Sequence, residues 1–263
     1  MKANTVVKGL AAMSAAVMVA ANAWSAVEWK NIDDEHKLGG RKLSAGYLQG
    51  RVVLVCRNPA MAPRMEAIWD SFKTRSFALI GAFNEAVPGV NFSQYRGADL
   101  GSGAPEAPVY VVNPLGAVVY GGDSDREASE AVVTAITDWE SPRNANQFKR
   151  FLDWEIENLP GAATIRFAEF KKRFPKDSSI KDYEAKIREL SKLQGMGELV
   201  KLIETSRKVR NYLPKNNVER KRLPGKISAQ IRKSSKLKEA ADPRVAQEAK
   251  NAIADLVWTM KSL

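Results

Sequence analysis

The chain has 263 residues, with 41 Lys and Arg against 30 Asp and Glu, for a formal net charge of +11. Its single cysteine, Cys56, excludes an intramolecular disulfide, and with one histidine, His36, leaves too few soft ligands for a structural zinc site. No Gly-rich phosphate loop, Ser/His/Asp arrangement or metal-ligand spacing appears, so neither a cofactor nor a metal is expected.

Charge divides the chain. Residues 1–142 carry 13 Lys and Arg against 15 Asp and Glu, and residues 143–263 carry 28 against 15. Such asymmetry between halves points to separate domains with separate surfaces. Lys2 and Lys8, a short apolar run from Gly9 to Ala21, and the small residues Ala21-Asn22-Ala23 predict a signal peptide over residues 1–23. The run is shorter than the roughly 20 residues that span a bilayer. An uncleaved anchor is the alternative reading, and no Cys follows the run to make a lipoprotein. The expected location is periplasmic or secreted, with no transmembrane segment after cleavage.

In residues 24–142 the pattern predicts an α/β domain. Val52-Val53-Leu54-Val55 reads as a buried strand, followed by a turn and a helix with apolar residues at Met65, Ile68, Trp69 and Phe72. Phe77 to Phe83 reads as a second buried strand, and Glu85 to Ala107 as irregular. Val109–Val112, the turn Asn113-Pro114-Leu115-Gly116 and Ala117–Tyr120 predict a β-hairpin. Ser124 is placed to cap a helix with Ala128, Val132, Ala135, Ile136 and Trp139 on one face.

Ser141-Pro142-Arg143-Asn144 looks like a boundary, and the fragment 24–142 is expected to fold alone. Residues 143–263 predict a basic, all-α domain. Helical stripes run over Phe148 to Leu159, Ile165 to Phe174, Tyr183 to Leu193 and Leu199 to Val209. A final helix starts at Asp242-Pro243, an N-cap followed by proline at the first helical position. No second copy at a fixed period marks a repeat protein.

The strand-to-helix junction carries a resemblance. The lead-in Gly40…Leu43-Ser44…Leu48-Gln49-Gly50-Arg51-Val52-Val53-Leu54-Val55 resembles the opening strands of the exported, redoxin-type branch of the thioredoxin-like superfamily. Ala107-Pro108-Val109 through Asn113-Pro114-Leu115-Gly116 is similar to that branch's Pro-Thr-x-x-x-Ile-Asp-x-x-Gly hairpin. Aligned without gaps, Met61-Ala62-Pro63-Arg64 stands where the family has Cys-x-x-Cys. The resemblance covers residues 38–139 and implies a thioredoxin-like fold, with Pro108 as the cis-proline beside the active-site turn. It also puts the family's chemistry in doubt. Thiol–disulfide exchange needs an attacking thiolate and a resolving sulfur, and Met61 and Arg64 supply neither.

Two sites are therefore candidates. Met61, Ala62, Pro63, Arg64 and Pro108 form either a peptide-binding surface, with charge from Arg57 and Arg64 and an apolar contact from Met61, or a vestigial turn. The stretch from Arg207 to Lys238 holds twelve Lys and Arg and one acid, Glu219. Its Arg207, Lys208, Arg210, Arg220, Lys221, Arg222, Arg232 and Lys233 are candidate anion ligands, or else a solvated basic face. Nucleic acid is not the expected partner, since export removes the chain from it and Tyr212 is the stretch's one stacking aromatic. Anionic lipid headgroups or an acidic partner fit better.

The expected function is that of an exported, redox-inactive protein that binds other proteins as a chaperone-like or scaffolding module. In architecture it resembles the noncatalytic relatives of protein disulfide isomerase with helical tails. The alternative is a one-cysteine thiol oxidoreductase working through Cys56. Cys56 closes an apolar strand and reads as buried and inert; an exposed, acidic thiol would favour the enzyme.

Overall fold

The computed structural model describes residues 28–73, 75–101, 103–210 and 217–261; the predicted signal peptide and Tyr212 lie outside them, as does the side chain of Arg220. Its centre is a mixed six-stranded sheet. The strands are β1 (Lys37–Gly39), β2 (Val52–Cys56), β3 (Phe77–Phe83), β4 (Ser93–Arg96), β5 (Val109–Val112) and β6 (Val118–Gly122), in the order β1-β4-β3-β2-β5-β6. β2, β3 and β4 are parallel, while β5 runs antiparallel to β2, β6 to β5 and β1 to β4.

The continuous apolar runs of β2, β3 and β5 arise because both faces of the sheet are covered. Val52, Leu54, Phe77, Leu79, Val109 and Val111 point to one face, beneath α2 (Ala62–Phe72) and α3 (Asp125–Glu140). Helical spacing brings Met65 and Ile68 of α2, and Ala128, Val132 and Ile136 of α3, into that layer. Val53, Val55, Ala78, Ile80, Tyr110 and Val112 point to the other face. There Trp29, Ile32 and the short α1 (Ala45–Leu48) cover them.

Two expectations are corrected. The lead-in does not open as strands from residue 40: Ser44 caps α1, its hydroxyl accepting from the Tyr47 N–H at 3.2 Å. The stretch 85–107 is not wholly irregular, since it contains β4. Polar Ser93 and Gln94 are buried in that strand, which hides it from a hydropathy reading. The Gln94 amide is satisfied by accepting from the Val87 N–H at 2.7 Å and donating to the Val87 carbonyl at 3.2 Å.

The second half is helical among the described residues, with α4 (Ala145–Asn158), α5 (Pro160–Arg173), α6 (Ile180–Ser191), α7 (Met196–Arg210), α8 (Asn217–Ser234) and α9 (Pro243–Lys261). Asn144 caps α4, and Asp242 accepts from the first amides of α9. Pro160-Gly161 is the first turn of α5 rather than a loop, which leaves Leu159 alone between α4 and α5. The basic α8 accommodates Pro224 in its interior, with Ile227 buried against α7 and α9. None of the described helices is long and apolar enough to cross a membrane.

The halves share buried surface. Leu115 and Trp139 from the first half pack with Phe151, Trp154, Leu159 and Ala162 from the second, with Trp139 4.9 Å from Phe151 between ring centroids. Ala254 of α9 reaches the second face of the sheet, and Asn251 donates to the Gly46 carbonyl at 2.7 Å. Gly50 has φ +69°, which L side chains rarely adopt, and an added Cβ would stand 2.6 Å from Leu159 Cδ1, so a side chain here would strain the backbone and displace Leu159.

Asp255 of α9 is the ionic centre of this contact. It accepts from the Tyr47 hydroxyl at 2.6 Å and the Arg51 guanidinium at 2.7 Å, with Arg210 at 3.5 Å. Burial opposes its ionised form, but Arg51 and Arg210, with the Tyr47 hydroxyl, outweigh that and hold its carboxyl below the ordinary range. Glu248, two turns earlier on α9, is the reverse case. It accepts the Gly161 and Ala162 N–H groups at the start of α5, both at 2.8 Å, yet burial pushes it up to about 7.

The two carboxyls give opposite pH dependences. The Asp255 contribution is present above its unfolded value of about 4 and is lost as pH falls through its lower folded value. The Glu248 contribution is full below about 4 and is lost as pH rises through about 7. In urea titrations at neutral pH, Asp255→Ala is expected to cost about 3–5 kcal/mol, because Arg51 and Arg210 stay buried without their counter-charge. Glu248→Gln is expected to flatten the decline in stability between mildly acidic and mildly alkaline pH. Unchanged profiles in both variants would refute these assignments.

Candidate binding cleft at the strand ends

β2 ends at Cys56, and Asn58 then caps a 3-10 turn (Pro59–Met61) by accepting from the Ala60 N–H at 3.0 Å; α2 starts at Ala62. This is the strand-turn-helix junction expected from the sequence. Its residues divide by exposure. Met61 and Ala62 are buried in the core beneath α2, whereas Pro63 and Arg64 are exposed. Met61 is thus a core residue and not the adaptable surface contact expected of it. The apolar stripe of α2 begins one turn earlier than its first predicted member, Met65.

Pro108 is brought to the same end of the sheet. It is exposed, and its carbonyl accepts the Arg57 N–H at 2.8 Å, one residue beyond the Cys56–Val109 pair. The cis bond implied for Pro108 is not found: the described peptide bonds are all trans.

Cys56 is fully buried, and its thiol donates to the Asn58 carbonyl at 3.2 Å. Burial raises its pKa to about 11, against the smaller opposing effect of that contact. A thiol so placed carries almost no thiolate at neutral pH.

The ends of the three parallel strands open onto a cleft of about 830 Å³. Arg57 and Pro59 follow β2, Asn84 to Pro88 follow β3, and Gly97 to Asp99 follow β4. Such a crevice, beyond the carboxyl ends of parallel strands, is where α/β sheets generally take ligands. Its wall is held by an ionic knot. Arg57 meets Asp99 at 2.6 Å, donates to the Pro105 carbonyl at 2.5 Å and lies 5.0 Å from the Tyr110 ring centroid. Tyr110 donates to Asp99 at 3.1 Å, and burial, then Asp99, raises its hydroxyl pKa. Arg57 is therefore committed to the wall, while Arg64 makes no hydrogen bond or ion pair with the described residues. Asn84, Glu85, Ala86 and Pro88 are exposed along the rim. The sequence reading missed this rim and Asp99, because residues 84–99 become a site only once β3 and β4 are paired.

The basic set divides as well. Arg207, Lys208, Lys221, Arg222, Arg232 and Lys233 are exposed. Arg210 is not part of that surface: its side chain is 12% exposed and is drawn inward to Asp255 and to the Arg75 carbonyl at 3.1 Å. No group of three or more His, Cys, Asp or Glu among the described residues is placed to hold a metal ion. The chain matches no family model and no curated protein.

The burial of Cys56 predicts its labelling behaviour. In native protein, alkylation is expected to be slow at neutral pH, to rise only above about pH 10, and to become fast in denaturant. Rapid native labelling near pH 7 would contradict the burial.

Proposed function

We propose that the protein is an exported, redox-inactive thioredoxin-like module that binds other polypeptides at the strand-end cleft, in a chaperone-like or scaffolding role. The observation that carries this reading is the junction after β2. By the gapless alignment Met61 and Arg64 stand at the two cysteine positions, and Pro59, in the turn that leads into α2, lines a cleft of about 830 Å³.

The arrangement around the junction supports the thioredoxin-like reading. The strands β3-β2-β5-β6 are consecutive in the sheet, with β2 and β3 parallel and β5 and β6 antiparallel. Both α2 and α3 pack on one face. The buried Cys56 thiol speaks for binding over one-cysteine chemistry. The rim suits an extended chain, with Pro59, Ala86 and Pro88 lining it and the exposed Glu85 adding charge.

The junction has its own test. The double variant Met61→Cys/Arg64→Cys is expected to close an intramolecular disulfide under mild oxidation and to gain weak insulin reductase activity. The two positions flank the start of α2, whose N-terminus favours a thiolate. Free thiols under an oxidant that closes ordinary Cys-x-x-Cys turns would remove the thioredoxin-like reading.

Binding is tested with a client that has no thiol chemistry. The protein is titrated against fluorescein-labelled, reduced and carboxymethylated α-lactalbumin, and anisotropy is followed. Saturable binding is expected, weakened about tenfold, or about 1.4 kcal/mol, in Ala86→Arg, which places a long charged side chain on the rim. Absence of binding, or equal binding by Ala86→Arg, would refute the assignment of the cleft.

A further inference from the structure

At the opposite end of β2 and β3, a second cleft of about 500 Å³ lies between the two halves. Arg75 and Ser76, which precede β3, form one side, and Arg207 and Arg210, in the last turn of α7, form the other. Arg166 and Trp139 lie at its floor, and the inner end continues toward Asp255.

The charges in and behind this cleft do not balance. Arg75 is neutralised by Glu140, at 2.5 Å, and Arg166 by Glu155, at 2.7 Å. Glu169, at the outer edge, has Arg173 at 3.6 Å. Arg41, Arg51 and Arg210 all converge on one carboxylate, Asp255, at 3.9, 2.7 and 3.5 Å. The crowding is visible at Arg41, whose Nη2 is buried without a hydrogen-bond partner. Arg207 makes no ion pair or hydrogen bond with the described residues. Glu248 is the remaining acid nearby, and its carboxylate is occupied by the amides of α5. The result is an excess of guanidinium charge, with Arg51 and Arg210 buried at the inner end of the cleft and Arg207 exposed at its mouth. The buried part of that excess is costly unless an anion accompanies it.

We propose that Arg207, Arg210 and Arg75, with the Ser76 hydroxyl, bind the phosphate group of a small organic phosphate. Planar guanidinium forks are the side chains best suited to oxyanions. A cleft of about 500 Å³ has room for an organic body as well as the anion. The site is separate from the exposed lysines of α8 and from the strand-end cleft.

Isothermal titration calorimetry with inorganic phosphate and with phenyl phosphate tests this, using the intact chain at fixed ionic strength. Both should bind at one site, phenyl phosphate the more tightly. Arg207→Ala should lower the affinity for each by about tenfold or more, while Lys233→Ala, on the outer face of α8, should leave both unchanged. No binding, or equal losses in Arg207→Ala and Lys233→Ala, would overturn the site. Binding of inorganic phosphate as tight as that of phenyl phosphate would overturn the organic ligand.

Discussion

Asp255 lies on the last helix, 8% exposed, and gathers groups from two distant parts of the chain: Tyr47 on α1 with Arg51 four residues later at the entry to β2, and Arg210 at the end of α7. A lone buried carboxylate would be driven toward its neutral form. Here the surrounding guanidinium groups reverse that and keep it ionised. Arg51 needs Asp255 in turn, because it is buried with its aromatic neighbour Tyr47 and pairs with no other carboxylate among the described residues. Such an ion pair adds little net stability over an apolar contact of the same shape, but it penalises any arrangement that separates its members. It therefore fixes where α9 sits.

The position of α9 determines the rest. The first face of the sheet is closed by α2 and α3, which come from the same half as the strands. The second face is only partly covered by α1 and the segment around Trp29, and Ala254 of α9 adds to it. Anchoring α9 through Asp255 also sets Glu248 against the start of α5. There Gly161 allows the approach, since an added Cβ would stand 2.5 Å from Ile203 Cδ1 and 3.0 Å from Glu248 Oε2. The two clefts then lie at opposite ends of β2. Its five residues separate them by about 17 Å. The strand-end cleft is made by the α/β half alone, whereas the arginine cleft exists only where the halves meet.

Much of this was legible in the sequence wherever one local pattern decided the outcome. The apolar runs of β2 and β3, the Asn113–Gly116 turn, the Ser124 cap and the Asp242-Pro243 helix start each depend on neighbours in the chain. What escaped depends on partners far away. β4 carries buried Ser93 and Gln94, acceptable only because Val87 satisfies Gln94 across a loop. α8 was hidden by Pro224 and by a polar composition that reads as a loop until Ile227 finds α7 and α9. Met61 looked like a surface residue because its turn was read from the family's exposed cysteines. Arg210 looked like one more surface cation, since nothing in its own segment announces Asp255, 45 positions further on.

The central claim is that the sheet and the last helix form one unit joined through Asp255. Native-state hydrogen exchange followed by mass spectrometry addresses it directly, by comparing the opening free energies of Val52–Cys56 and Pro243–Lys261. The account predicts that the two segments exchange with the same free energy and the same denaturant dependence, and that both fall together in Asp255→Asn. Exchange of α9 at much lower free energy, with β2 still protected and indifferent to Asp255→Asn, would contradict it.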